Sequence, residues 1–327
     1  MRALFLALAI LFAPLSAAAQ PGGKVPLIGV LDSRILFDDP APALGLRRLY
    51  LEPLRELGYV EGKNLALTHR YAYGRLDKLP DLAAQLVNAK VDVILAWGTP
   101  AALAAKNATR TIPIVMVGVA DPVAVGLVAS LARPGGNVTG LSLNSVELSG
   151  KRVQLVKELV PRATRIAVLT NPDDPASAPA LRAMEAAARS VGLQLQPVEV
   201  RAPKDLENAF AVVKRDLAGG LIVLPGDIFF ESRRRIAELA EKQRLATVAE
   251  PRAFVEAGGL LAFGPSEANL YRQAAGFVDK ILRGAKPSDL PVEQPTKFDL
   301  VINMKTAKAL GLTIPQSVLI QAEQVFQ

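Results

Sequence analysis

The 327-residue chain has no cysteine and only one histidine, His69. Without a thiol there is no cysteine nucleophile, no iron–sulfur ligation, no zinc–cysteine site and no disulfide scaffold. A lone imidazole rules out a multi-histidine metal site and leaves any Ser-His-Asp relay dependent on His69. That residue sits inside a strand-like stretch, whereas a catalytic base belongs at a strand end or on a loop. No G-x-x-x-x-G-K-[ST] or G-x-G-x-x-G follows a strand-like run, and there is no G-x-S-x-G elbow. Nucleotide hydrolysis, dinucleotide redox chemistry and elbow-type hydrolysis thus have no fingerprint.

Clustered positive charge is missing too. The net charge is +7, yet the longest basic run is Arg233-Arg234-Arg235. On a helix these side chains fan over more than half the circumference, which describes a solvated face and not a nucleic-acid contact. What the chain does have is apolar content: half of its residues are hydrophobic and 21% charged, which excludes a disordered chain. The length suits two domains of ordinary size.

The N-terminus carries a targeting pattern. Arg2 gives a short positive region, residues 3–15 are apolar, and Ala17-Ala18-Ala19 is a small-x-small cleavage site before Gln20. Interrupted by Pro14, the apolar run falls short of the ~20 residues of a membrane-spanning helix. Residues 1–19 read as a cleaved signal peptide. With no cysteine to take a lipid, the product is expected to be free in a periplasm.

Beyond it, strand-like runs at 26–31, 64–71, 91–96 and 113–117 alternate with amphipathic runs at 44–57, 76–88, 100–108 and 123–132. Such alternation predicts a parallel sheet covered by helices on both faces. Glycine and proline crowd 133–140, where we place an interdomain crossover. The alternation then restarts, with strands at 165–170, 194–200, 220–224 and 260–264, a short one near 246–249, and helices at 146–160, 176–191, 206–217 and 229–244. Helix 269–282, strand 298–302 and helix 305–310 are expected to cross back and finish the first domain. The fold class is thus α/β, two doubly wound Rossmann-like lobes joined by a multi-crossover hinge. One lobe comprises 25–141 plus 265–327, the other 142–264. Repeated crossovers suit hinge closure around something in the cleft.

Open parallel sheets bind ligands at the carboxyl ends of their strands. Polar residues at those ends are therefore the candidate ligand contacts: Asp32, Trp97, Gly98, Thr99, Asp121, Asn171 and Asp227. Thr99 reads as an N-cap with Pro100 as the first helical residue, so the free N–H groups of that helix start would seat a carboxylate. Asp121 or Asp227 would meet an ammonium, and Trp97 would stack on an apolar or aromatic group. Each has a plainer alternative as a cap, a turn or a packed side chain. No pair of carboxylates has a spacing that fixes acid/base chemistry, and no catalytic residue, metal ligand or cofactor is assigned.

Five ordered motifs carry a resemblance: Glu56-Leu57-Gly58-Tyr59-Val60-Glu61-Gly62-Lys63-Asn64, Gly98-Thr99-Pro100-Ala101-Ala102, Ile112-Pro113-Ile114-Val115, Ser130 through Gly140, and Pro291-Val292-Glu293-Gln294-Pro295-Thr296-Lys297-Phe298. Together they span nearly the whole mature chain, which resembles the ABC-transporter substrate-binding protein family related to tryptophan/tyrosine-type uptake. The resemblance implies a type I periplasmic-binding-protein fold that closes on a small carboxylate or amino acid, aromatic ones included, and docks on an inner-membrane ABC permease. It implies no catalysis, and we expect a monomer. An exported ligand-sensing domain that signals to a membrane receptor is the alternative. The segment from Arg34 to Pro42 departs from the family pattern. It would border the cleft, where Phe37 either touches ligand or packs on the surface.

Export through a cleaved signal gives a direct expectation. Produced in a secreting bacterial host, the mature chain begins at Gln20; an intact mass retaining residues 1–19 overturns that reading.

Overall fold

Strands that are apolar at nearly every position are stable only when both faces of their sheet are covered. That condition organises the molecule, whose computed structural model describes residues 24–33, 40–143 and 145–327. The signal-peptide stretch and Phe37 lie outside the described residues.

Among the described residues, twelve strands form two sheets and twelve α-helices pack around them. In the first lobe β1 (Leu27–Asp32), α1 (Pro40–Glu56), β2 (Ala66–Tyr71), α2 (Leu79–Asn88), β3 (Val93–Trp97), α3 (Gly98–Ala108), β4 (Ile114–Val119) and β5 (Val138–Ser142) follow one another. The second lobe holds α4 (Ser145–Leu159), β6 (Arg165–Thr170), α5 (Ser177–Ser190), β7 (Gln194–Glu199), α6 (Leu206–Arg215) and β8 (Gly220–Val223). It continues with α7 (Asp227–Glu231), α8 (Arg233–Lys242), β9 (Ala246–Ala249), α9 (Arg252–Glu256) and β10 (Leu261–Pro265). Last come α10 (Glu267–Leu282), β11 (Phe298–Asn303), α11 (Met304–Leu310), α12 (Gln316–Leu319) and β12 (Gln324–Phe326).

The first sheet has the order β2-β1-β3-β4-β5, all parallel. Strand alternation splits its apolar residues between two cores. Val93, Leu95, Val115 and Val117 pack against Tyr50 and Leu54 of α1 and Tyr271, Ala274 and Phe277 of α10. Ile94, Ala96, Ile114 and Met116 face Ala83 and Leu86 of α2 and Ala101 and Ala105 of α3. The second sheet, β12-β11-β10-β9-β8-β6-β7, is parallel except where β10 meets β11. Ile166, Val168 and Ile222 turn to Val153, Val156 and Met184 of α4 and α5. Ala167, Leu169 and Leu221 turn to Phe210, Val213 and Ile236 of α6 and α8. The two doubly wound lobes expected from the sequence are present.

Three sequence expectations need correction. Residues 133–140 are not the crossover: β5 begins at Val138 and pairs with β4, and the chain leaves the first lobe only after Leu143. Residues 123–132 form turns instead of a helix: Asp121 Oδ1 accepts from Val123 N–H (3.2 Å) and Ala124 N–H (2.9 Å), but Gly126 at φ +71° takes the chain off a helical path. Lys106 Nζ meets the carbonyls of Gly126 and Leu127 there. The tail does not finish the first lobe. Helix α10 does cover the first sheet, and Glu293 N–H bonds Gly140 O at 2.9 Å along β5, but β11 and β12 join the second sheet. The chain therefore passes between lobes three times.

Gly140 shows how tightly β5 approaches β4. Its φ is +128°, and a Cβ would lie 2.1 Å from Met116 O. Gly140→Ala is expected to cost on the order of 3 kcal/mol, from strain at positive φ plus a backbone clash. Urea denaturation should show a lower midpoint at unchanged slope; an unaltered midpoint contradicts the packing described.

Candidate ligand-binding site

At the carboxyl ends of both sheets lies a cleft with about 1020 Å³ of empty space, its open mouth included. It is a joint product of the lobes. Ser33 follows β1, Trp97, Gly98 and Thr99 stand where β3 passes into α3, and Gly118 and Ala120 mark the end of β4. From the second lobe come Asp174 beyond β6, Pro225-Gly226-Asp227 beyond β8, Glu250-Pro251 beyond β9, and Phe229, Phe230, Arg233 and Phe254. Pro265, Glu267 and Leu270, around the second crossover, close the base.

Each lobe contributes its topological switch point, the crevice where strand order reverses and loops part. In the first sheet this falls between β1 and β3, and it brings Ser33 beside Gly98. Ser33 is 1% exposed and its Oγ has no hydrogen-bond partner. Gly98 opens α3 with φ +81°, a left-handed value suited to glycine, and Trp97 is the N-cap. The sequence expectation of a cap at Thr99 is thereby corrected: Thr99 lies in the first turn, 3% exposed, with Oγ1 accepting from Ala120 N–H at 3.4 Å. The start of an 11-residue helix with no side-chain cap bond, beside an unpartnered hydroxyl, is an arrangement suited to an anion. Trp97 stacks on Tyr271 with ring centroids 4.6 Å apart, giving the cleft a rigid aromatic wall.

In the second sheet the switch point lies between β6 and β8 and brings Asp174 beside Gly226. Asp174 is 9% exposed. Its Oδ1 accepts from Ala176 N–H at 2.9 Å, while Oδ2 lies 3.6 Å from the place a Cβ would take on Gly226. Burial pushes its carboxyl above the usual carboxylate range, and the Ala176 bond offsets this only in part. Glu250 is held from behind by Arg152, 2% exposed, whose Nη2 donates to Glu250 Oε2 at 2.6 Å and whose Nε donates to Phe263 O at 3.0 Å. Arg233 donates to Phe230 O at 2.7 Å and lies over the Phe230 ring.

Of the seven residues proposed from sequence, Trp97, Gly98, Thr99 and Asp227 line the cleft. The others do not. Asp32 is fully buried and accepts from Tyr50 O–H at 3.2 Å. Asp121 holds its Asx turn, and Asn171 Oδ1 accepts from Asp173 N–H at 3.0 Å. Two of these residues mark a cleft wall all the same, for Ser33 is one position beyond Asp32 and Asp174 three beyond Asn171. Of the departing segment Arg34 to Pro42, residues 34–39 fall outside the described residues and Pro40 to Pro42 begin α1. His69 lies on β2 at the sheet edge, stacked on Tyr71 at 5.6 Å. Among the described residues, no group of three or more His, Cys, Asp or Glu side chains is placed to hold a metal ion.

Two doubly wound lobes that share a ligand-sized cleft at the carboxyl ends of their strands define a type I periplasmic-binding-protein architecture. The chain belongs to the ABC transporter substrate binding protein family, whose model matches residues 45–326. A tyrosine-binding protein from Clostridioides difficile strain R20291 is 30% identical over 267 residues, 80% of this chain and 75% of that protein. The ABC domain in complex with L-Trp from Streptococcus pneumonia is 27% identical, covers 93% of this chain and 100% of its own, and superposes with a TM-score of 0.85. A ligand-free, open substrate binding protein with adhesive properties from Clostridium difficile has the same identity and coverages but a TM-score of 0.66. The present arrangement is thus nearer the ligand-bound relative.

The raised Asp174 carboxyl has a stability consequence. The folded chain holds this proton more tightly than the unfolded one, so the group favours folding at low pH. It loses that contribution as pH climbs from the ordinary value, 3.8, through its raised folded value. Asp174→Asn removes the loss, so the variant should gain stability over wild type between pH 4 and pH 7. Urea midpoints across that range test this; a difference that does not vary with pH contradicts it.

Proposed function

We propose that this chain is the periplasmic binding component of an ABC importer and that it takes an aromatic amino acid into the cleft between its lobes. The observation that carries the reading is the division of chemistry across the cleft. The first lobe offers a buried unpartnered Ser33 hydroxyl at the start of α3, an arrangement suited to a carboxylate. The second lobe lines its side with carboxylates suited to an ammonium. Between them, Trp97, Phe229, Phe230 and Phe254 surround the space for an apolar or aromatic side chain.

The tyrosine-binding relative and the L-Trp complex of the pneumococcal domain support the ligand class. Family membership supports the role in transport, with a membrane permease receiving the loaded form. The small-x-small site before Gln20 supports export.

Calorimetry with the purified mature chain tests the ligand. L-tryptophan or L-tyrosine should bind, and at 100-fold excess over the Kd should stabilise the fold by about 2.7 kcal/mol. Trp97→Ala should weaken that binding roughly 10- to 100-fold through lost aromatic contact. If neither amino acid binds at millimolar concentration, the proposal fails.

A further inference from the structure

Resting on the amino-acid reading above, we propose that Asp174 is the residue that fixes the ligand's ammonium and makes the cleft select amino acids over their deaminated acids. Four acidic side chains line the cleft, Asp174, Asp227, Glu250 and Glu267, and the structure distinguishes them. Glu267 is exposed at the start of α10, where water screens its charge. Glu250 is already committed to the buried Arg152 guanidinium at 2.6 Å. Asp227 is the half-buried first residue of the five-residue helix α7. Asp174 alone among the four is buried and at the second lobe's switch point.

Its surroundings also pre-position it. Asp174 N–H donates to Asn171 O at 3.1 Å, Ser177 N–H to Asp174 O at 3.0 Å, and Ala176 N–H to Oδ1 at 2.9 Å. Three bonds within one turn fix the backbone and the carboxylate plane. Oδ2 is left beside Gly226, a cleft-lining residue with no side chain to cover it. A desolvated carboxylate gains more from an ammonium than an exposed one, because water no longer competes for either charge. The anion seat at Ser33 occupies the matching crevice of the first lobe. A molecule with both charges therefore has one anchor in each lobe.

Four ligands and two variants test the assignment by calorimetry: L-tryptophan, L-tyrosine, 3-indolepropionate and 3-(4-hydroxyphenyl)propionate. For whichever amino acid binds more tightly, wild type should prefer it to its deaminated partner. Asp174→Asn keeps the acceptor for Ala176 N–H and removes the charge. It should weaken the amino acid roughly 10- to 100-fold while leaving the deaminated acid within about threefold. Equal losses for both ligands, or no loss for either, overturn the assignment while leaving the amino-acid reading intact. So does a preference erased by Asp227→Asn and not by Asp174→Asn, or a wild type that binds both ligands alike. Failure of wild type to bind either amino acid overturns the amino-acid reading, and this assignment with it.

Discussion

A buried guanidinium ties the second lobe together beside the crossover into α10. Arg152 of α4 is 2% exposed, and its charge is tolerable there because Glu250 and the Phe263 carbonyl both accept from it. Removing one member of such a pair typically costs ~3–5 kcal/mol, since the other is left uncompensated in a low-dielectric site. The pair does more than satisfy itself. Phe263 lies on β10, just before the chain crosses to α10, and Glu250 is a wall of the cleft. Gly264 lets β10 run directly against Glu250, where a Cβ would lie 2.7 Å from the Glu250 carbonyl oxygen. Helix α4, the cleft wall at Glu250 and the end of β10 that precedes the crossover are thus tied to one another within the second lobe.

Around that base the two sheets repeat one topology with different chemistry. Each switch point collects a side chain from beyond the end of one strand and a glycine from just beyond the end of its neighbour in the sheet: Ser33 with Gly98, and Asp174 with Gly226. The glycines keep side chains out of the approach, while the partners differ in charge preference. One is a hydroxyl at the start of an 11-residue helix, where the dipole favours anions. The other is a buried carboxylate. Similar architecture therefore yields opposite electrostatic preferences on the two sides of one cleft.

The fold was largely legible in the sequence because parallel strands buried on both faces announce themselves as continuous apolar runs. Long-range pairing was not. Strand β11 joins β10 in antiparallel fashion after an excursion through α10 and the edge of β5, and no local pattern in residues 298–303 specifies which lobe they join. The site was legible by position more than by residue. Polar side chains at strand ends divide into those used by their own turns and those left to face the cleft. Asp121 and Asn171 are of the first kind and Ser33 of the second, while Asp174 is both, its Oδ1 taken by Ala176 N–H and its Oδ2 beside Gly226 at the cleft. The division depends on which backbone N–H groups lie within reach of each oxygen, a three-dimensional fact that one-dimensional spacing does not carry.

Closure can be driven only by a ligand that interacts more favourably with the closed arrangement than with the open one. On the proposed reading a carboxylate alone would satisfy Ser33 and the α3 start, all within the first lobe, and so would gain nothing from the second lobe's approach. An aromatic ring alone gains contact from Phe229 and Phe254 as the lobes meet, but it brings no charge to the desolvated carboxylate of Asp174. A zwitterion with an aromatic side chain, bound as proposed, would link both switch points at once and fill the space between them. On this reading, selectivity and closure share one origin: the anchors lie in different lobes, so the ligand that completes both sets of contacts is also the one that holds the lobes together.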